Sequence, residues 1–295
     1  MPIDIRAVGK RADPFRRTWD STDALLYALG VGAGQEDASR ELQFTTENTA
    51  GVEQQVVPSF AIPVVQTGLG KILTFGDYPR GSLVHAEQSL TVHRPLTPAG
   101  SVTVSARIAS IADKGSGALV RMETEAVDTT TGEPVVSTRL GYFIRGEGGF
   151  GGQHGDPSGG TPWSEPLGDP HESIVVPTRP DQALLYRLSG DRNPLHSDPA
   201  AAGAAGFPRP ILHGLATYGI ATRVLTNRLL DGDPARFGSI SARFTRPVFP
   251  GDTLVVRVWR TEESVVFRVL NDAGAIVLDR GRLTGHFLDR HPPQS

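Results

Sequence analysis

The chain has 295 residues, of which 38% are hydrophobic and 21% are charged, and its formal net charge is −3. This length and composition indicate a globular protein of two domains and exclude an intrinsically disordered chain. The small negative charge gives no electrostatic reason to expect nucleic acid or an anionic membrane as a partner.

Cysteine is absent from the sequence, which excludes disulfides, thiolate catalysis and cysteine-ligated zinc. The first residues lack the apolar core of a signal peptide, and no run of about 18 apolar residues could span a bilayer. These features lead us to expect a cytoplasmic protein without a membrane-bound segment.

The first half predicts helices followed by strands. Ser, Thr and Asp residues precede an apolar run within Thr18–Gly30, which predicts a short helix. The segment Val57–Leu73 is apolar around its whole circumference and predicts a buried helix, with Pro63 as the candidate point of interruption. Alternating or apolar runs predict strands at Ser101–Ile108, Leu119–Val127 and Val135–Ile144.

Residues 146–160 are rich in glycine and proline and predict a linker rather than regular structure. A phosphate-binding loop is the alternative, but no Lys-Ser or Lys-Thr pair follows it. We therefore expect an N-terminal domain at 1–147, a linker at 148–164 and a C-terminal domain at 165–295.

The second half repeats the order of the first. A short helix is predicted at Gln182–Tyr186 and a long helix, buried on most sides, at Ile211–Leu230. Four strands are predicted after that helix, at Ser239–Thr245, Thr253–Arg260, Val265–Leu270 and Ala275–Thr284.

Two pairs of similar segments support an internal repeat. Ala24-Leu-Leu-Tyr-Ala-Leu29 matches Ala183-Leu-Leu-Tyr-Arg-Leu188, and the segment from Arg94 to Val104 matches that from Arg246 to Val256 with one residue inserted. The fold class is therefore α+β, with one fold used twice, each copy a long helix against an antiparallel sheet.

The segment Tyr186-Leu-Ser-Gly-Asp-Arg-Asn-Pro-Leu-His196 carries the first candidate pair for catalysis. At neutral pH the Asp191 carboxylate and a neutral His196 could both accept a proton from one water, and the histidine could return it. The same residues are also good turn formers, so a purely structural loop is the alternative. At the repeat offset, Gly32 and Asp37 replace the two residues, so the first half lacks the pair.

Gly214 lies near the start of the long helix, where backbone N–H groups have no intrahelical acceptor and could stabilise an oxyanion. The alternative is that this glycine only permits close packing. His213 beside it is more typical of a structural hydrogen-bonding residue. No His-x-x-x-His pair supports a metal site among His85, His93, His196 and His213, and no Gly-x-Ser-x-Gly elbow indicates a serine hydrolase. We expect no metal.

The segments 186–196, Pro210–Gly214 and Ala242–Gly251 together resemble the signature of the (R)-specific enoyl-CoA hydratase 2, or MaoC-like dehydratase, family. The resemblance extends over nearly the whole chain and is to the two-domain form. It implies a double hot-dog fold and addition of water to a trans-2-enoyl-CoA, giving a (3R)-3-hydroxyacyl-CoA without a cofactor. A homodimer is expected by analogy alone.

The resemblance also implies roles for individual residues. Asp191 and His196 would be the catalytic pair, and Gly214 would provide the oxyanion-hole amide. Substrate-contacting positions would fall at His85, Ala86, Lys114, Arg192, Asn193, Pro194, Leu195 and Phe244. The family often has glycine where this chain has Ala86, which concerns the fit of the ligand. Lys114 would approach the phosphates of CoA.

Two other functions remain open from the sequence. The same proton transfers in reverse would dehydrate a 3-hydroxyacyl chain on CoA or on an acyl carrier protein. A non-catalytic thioester-binding subunit is the alternative from a different class, although the intact Asp191 and His196 disfavour it. The acyl group itself, whether short, long or sterol-derived, is set by pocket shape, which no motif reports.

Overall fold

The structure, a computed structural model, describes residues 3–155, 163–261 and 264–287. Within these ranges, all paired strands run antiparallel in one sheet. The strands are β1 (Phe15–Trp19), β2 (Leu83–Val92), β3 (Gly100–Asp113), β4 (Gly117–Asp128), β5 (Pro134–Arg145), β6 (Gln153–Gly155), β7 (Glu172–Pro177), β8 (Phe237–Phe244), β9 (Thr253–Arg260), β10 (Val265–Leu270) and β11 (Ile276–Gly285).

The helices are mostly short and lie against the sheet. They are α1 (Ser21–Gly30), α2 (Leu42–Thr45), α3 (Ala61–Gln66), α4 (Leu69–Ile72), α5 (Gln182–Tyr186), α6 (Pro199–Ala204) and α7 (Gly214–Leu229). No helix in the part of the chain that the structure describes is long and apolar enough to cross a bilayer.

The strand order shows the same fold used twice. The sheet runs β1-β3-β4-β5-β2-β8-β11-β10-β9-β7, with β6 beside β3. Read from either edge, each half has the order first, third, fourth, fifth and second strand of its own set. The predicted repeat is therefore confirmed, and β2 and β8, the matching strands of the two halves, join them at the centre.

The long helix α7 forms the core of the second half. Most of its residues are buried, including Tyr218 and Leu225. It begins at Gly214 rather than at the predicted Ile211. The helix does not extend to Ile211 because the preceding backbone makes a hydrogen bond to another segment. The Leu212 N–H donates to the Val248 carbonyl at 2.7 Å.

The corresponding helix of the first half is divided into short segments. A 3₁₀ turn at Pro58–Phe60 leads into α3, and α4 follows after a break. The candidate interruption at Pro63 is wrong, because Pro63 lies in the first turn of α3, where a missing N–H costs no hydrogen bond. The break is at Gly68, whose φ of 83° is left-handed and ends the helix.

The glycine-rich segment after β5 is held by one carboxylate. Asp113 accepts hydrogen bonds from the backbone N–H groups of Gly115, Gly149 and Gly151 at 2.7, 3.1 and 2.6 Å. These bonds lower the pKa of Asp113. Strand β6 then pairs with β3. Residues 156–162 of the predicted linker lie outside the described residues, so its boundaries stay a prediction.

A buried ion pair links α7 to the first half. The Arg223 Nη1 atom lies 2.7 Å from both carboxylate oxygens of Glu41, and Arg223 Nε donates to the Val31 carbonyl at 2.9 Å. The side chains are 8% and 17% exposed. Glu41 also accepts from the Gly34 N–H and from Asn227, so its charge is compensated on all sides.

We expect Glu41→Gln to lower the free energy of unfolding by about 3 kcal/mol, because removing one member of a buried pair leaves an uncompensated charge. Urea unfolding followed by circular dichroism measures the change. Asp4→Asn, which breaks the exposed pair of Asp4 with Arg6, is the control and should leave the urea midpoint unchanged. Equal midpoints for all three proteins would contradict the importance of the Arg223–Glu41 pair.

Candidate active site

One cavity of about 560 Å³ lies between the two halves of the chain. Its walls come from β2 and β5 of the first half, and from the 191–196 loop, the start of α7 and the end of β8 in the second. Most of the predicted site residues line it: His85, Ala86, Asp191, Asn193, Leu195, His196, Gly214 and Phe244. Arg192, Pro194 and Lys114 do not line it.

Local hydrogen bonds shape the loop that carries Asp191 and His196. The Asp191 carboxylate accepts from the Asn193 N–H at 3.1 Å, and the Asn193 side chain accepts from the Leu195 N–H at 3.1 Å. Pro194 begins a 3₁₀ turn that ends at His196. The segment therefore forms the turn that its residues predict, and this turn places Asp191 and His196 in the wall of the cavity.

The loop is also packed against the first half. Gly190 has a φ of 129°, and a Cβ atom built there would lie 2.7 Å from the Thr67 hydroxyl oxygen. Only glycine combines this backbone conformation with so close an approach. The break between α3 and α4 thus provides the surface on which the loop rests.

His196 is buried and its tautomer is determined by one contact. Nδ1 lies 2.9 Å from the Ile211 carbonyl oxygen, so it must donate its hydrogen. In the neutral ring Nε2 then carries the lone pair and can accept a proton. Burial lowers the pKa of His196, which keeps the ring neutral at physiological pH.

His213 lies directly against His196. The two rings are stacked with centroids 3.7 Å apart, and His213 Nε2 donates to the backbone carbonyl of Asp191 at 3.2 Å. The ring is 1% exposed. Burial and the neighbouring His196 lower the pKa of His213 to about 3.

Gly214 is the first residue of α7, so its N–H has no acceptor within the helix. It also packs closely: a Cβ atom there would lie 3.1 Å from Cδ1 of Phe244. The two interpretations of this glycine are therefore compatible. The absence of a side chain lets the Phe244 ring approach the helix start, and Gly214, whose N–H has no acceptor within the helix, lines the cavity.

The first half contributes His85 to the same wall. Its ring centroid lies 4.9 Å from that of Phe244 and 5.3 Å from that of Tyr142. Nε2 donates to the Glu87 carbonyl at 3.1 Å, and burial lowers the pKa of His85 to about 4. Ala86 lies at a bulge between β2 and β5 with φ outside the left-handed region, so its methyl group causes no backbone strain.

Comparison with known proteins identifies the family. Residues 18–146 match the MFE-2 hydratase 2 N-terminal domain and residues 164–279 match the MaoC like domain. The chain is 45% identical over 290 residues to 3-hydroxyacyl-thioester dehydratase Y of Mycobacterium tuberculosis, covering 95% of this chain and 98% of that protein. It belongs to the MaoC-like dehydratase family.

Other members of the MaoC-like family agree in sequence and in structure. Peroxisomal enoyl-CoA hydratase 2 of Arabidopsis thaliana is 38% identical over 264 residues, which cover 86% of this chain and 85% of that protein. The crystal structure of a MaoC-like dehydratase from Phytophthora capsici superimposes with a TM-score of 0.86 at 30% identity, covering 99% of this chain and 100% of that one. The predicted family and the α+β double hot-dog fold are confirmed.

Two arginines at the cavity were missed by the sequence analysis of this MaoC-like chain. Arg145 ends β5 and Arg246 follows β8; both are exposed and both line the cavity. The strands β5 and β8 lie on either side of β2. Nothing in the local sequence distinguishes these arginines from others, because only strand pairing brings them to one rim.

Asp191, His196 and His213 each offer a ligand-type atom, and these atoms lie within 4.8 Å of one another. Aspartate and histidine side chains can hold a divalent ion. The two rings are stacked 3.7 Å apart at an interplanar angle of 27°, so their in-plane lone pairs lie in nearly parallel planes and cannot both point at an ion about 2.1 Å away. The geometry therefore favours proton handling over metal coordination.

The hydrogen bonds of the histidines predict their tautomers. We expect neutral His196 to carry its hydrogen on Nδ1, and neutral His213 and His85 to carry theirs on Nε2. Because their pKa values are lowered, all three should remain neutral as the pH falls through about 6.5, the ordinary value. Imidazole ¹⁵N NMR measures both properties, with single His→Gln variants for assignment. An Nε2–H signal from His196 would contradict the assigned role of the Ile211 carbonyl.

Proposed function

We propose that this protein adds water across the double bond of a trans-2-enoyl-CoA to give a (3R)-3-hydroxyacyl-CoA. The observation that carries the proposal is that Asp191, His196 and Gly214, the first residue of α7, line one cavity. The names of the relatives, an enoyl-CoA hydratase 2 and a 3-hydroxyacyl-thioester dehydratase, support this reaction class. The (R) configuration follows the family resemblance.

The chemistry requires one water and two proton acceptors. A water held between the Asp191 carboxylate and His196 Nε2 attacks C3 as its proton passes to one of them. Negative charge develops on the thioester oxygen, where the Gly214 N–H donates. A proton returned to C2 completes the addition, so one oxygen and two hydrogens enter the product. These steps use side chains and backbone alone and need no cofactor.

The first half has a different role in this proposal. It lacks an acid–base pair, yet its strands supply the cavity wall that contains Leu83, Val84, His85 and Tyr142. Burial raises the pKa of Tyr142 to about 12, so its phenol stays neutral beside the acyl chain. We assign substrate accommodation to residues 1–147 and catalysis to residues 165–295.

The reverse reaction is the second candidate. The Mycobacterium tuberculosis relative is named a dehydratase, and elimination of water passes through the same transition state. Turnover of matched CoA and carrier-protein thioesters, assayed in both directions, distinguishes the physiological substrate. The homodimer and the cytoplasmic location remain expectations.

We expect Asp191→Asn and His196→Gln each to lower kcat at least about 10²-fold, the usual contribution of a positioned acid–base group. Loss of the ultraviolet absorbance of crotonyl-CoA or decenoyl-CoA follows the reaction. Asp37→Asn, at the position of the first half that corresponds to His196, is the control and should retain full activity. Near wild-type rates for either site variant, or no turnover by the wild type at any chain length, would overturn the assignment.

Arg145 and Arg246 are exposed and line the cavity, whereas Lys114 does not, so we assign the contacts to the CoA phosphates to the two arginines. We expect Arg145→Glu and Arg246→Glu each to raise KM for crotonyl-CoA about tenfold, the effect of losing a charge-assisted hydrogen bond. KM for crotonyl-pantetheine, which has no phosphates, should stay constant.

Arg257 on β9 is the matched control for the two rim arginines, because it is exposed and lies outside the cavity lining. Arg257→Glu should leave both KM values unchanged. Equal increases for crotonyl-CoA and crotonyl-pantetheine would show that the rim arginines do not recognise the phosphates.

A further inference from the structure

His213 lies where the three parts of the site meet. It directly precedes Gly214, its ring stacks on His196, and its Nε2–H reaches the carbonyl of Asp191. The contacts of His213 therefore connect Asp191, His196 and Gly214 with one another.

The hydrogen bond to Asp191 restrains a loop whose other long-range support is the packing of Gly190 on Thr67. Among the described residues, every other hydrogen bond formed by residues 190–194 is local, between groups at most four positions apart. Within the part of the chain that the structure describes, the bond from His213 Nε2 is the one long-range hydrogen bond of this segment. Because the segment is largely exposed, its position relative to His196 depends on this contact.

The ring of His213 is held in one protonation state. Nε2 donates to a carbonyl, so Nδ1 carries the lone pair, and Nδ1 is buried without a hydrogen-bond partner in the described part of the chain. A proton on Nδ1 would place a buried cation against His196. Asp191 and Arg187 act on this pair electrostatically, the Tyr186 ring lies 4.9 Å from that of His213, and His85 lines the same cavity.

We propose that His213 is a positioning residue that holds the Asp191 backbone through its N–H and covers His196 with its ring, so that the two groups act on the same water. This inference rests on the proposed hydration. The ring excludes water from one face of His196, which contributes to the burial that lowers the pKa of that histidine. His213 takes no part in proton transfer.

Three substitutions separate the two contacts. His213→Gln keeps a side-chain N–H and loses the ring, His213→Phe keeps a ring and loses the donor, and His213→Ala loses both. We expect kcat to fall about 10²-fold in the alanine variant, as expected for a displaced catalytic group, and less in the other two. KM should change little, since the acyl and CoA contacts remain.

The pH dependence of kcat/KM distinguishes this role of His213 from a purely structural one, which would leave the dependence unchanged. Removing the ring admits water to His196 and raises its pKa toward the ordinary value, so the acidic limb of kcat/KM should move to higher pH in the Ala and Gln variants. The limb should stay in place in the Phe variant. His93→Ala, at an exposed histidine outside the cavity lining, is the control and should change neither kcat nor the limb.

An unchanged kcat and an unmoved limb in His213→Ala would overturn the proposal. An equal loss of kcat in the Ala, Gln and Phe variants, with the acidic limb of kcat/KM unmoved, would also overturn it. If His213→Ala does not fold, as judged by circular dichroism, the Gln and Phe variants provide the same comparison. The pKa of His196 from ¹⁵N NMR tests the ring contact without any turnover, so failure of the hydratase proposal is distinguishable from failure of this one.

Discussion

The pairing of β2 with β8 is the constraint on which the rest of the structure depends. Its register places Glu87 opposite Arg243 and Thr91 opposite Ser239, and the two charged side chains form an ion pair at 2.7 Å. A shift of one residue would exchange the faces of the strand. Since His85 lies just before this pairing and Phe244 just after it, the same register brings them into contact and closes the cavity between the halves.

The two copies of the fold differ in their central helix: one has a long buried helix, and the other has a divided one. A long buried helix gives a rigid start with exposed amides, whereas a substrate cavity needs space beside it. Here α7 is continuous over 16 residues, and its counterpart is divided at Gly68. The divided helix provides the surface at Thr67 on which Gly190 rests, so the first half supports the loop that carries the proposed acid–base pair.

Burial determines the protonation state of the histidines at the site. Three histidines lie around the cavity, and desolvation lowers the pKa of each, so the site contains neutral imidazoles at physiological pH. Each imidazole donates one N–H to a backbone carbonyl, which determines its tautomer. A proton acceptor at His196 Nε2 is thus a consequence of packing and of one carbonyl, that of Ile211.

The sequence by itself determined much of this protein, because turn chemistry, hydrophobic period and the spacing of Asp191, His196 and Gly214 are local properties. They predicted α5, the later strands, the repeat and the family, and they singled out the loop that carries Asp191 and His196. The edge strands β1 and β7 and the start of α7 were not predicted, since each depends on a hydrogen bond with a distant segment. The break at Gly68 was not predicted either, although its cause is the local left-handed backbone of that glycine. Only the tertiary structure decided that His213 stacks on His196 and that Arg145 and Arg246 share a rim, because side chains from distant parts of the chain meet through sheet register and helix packing, which no local pattern encodes.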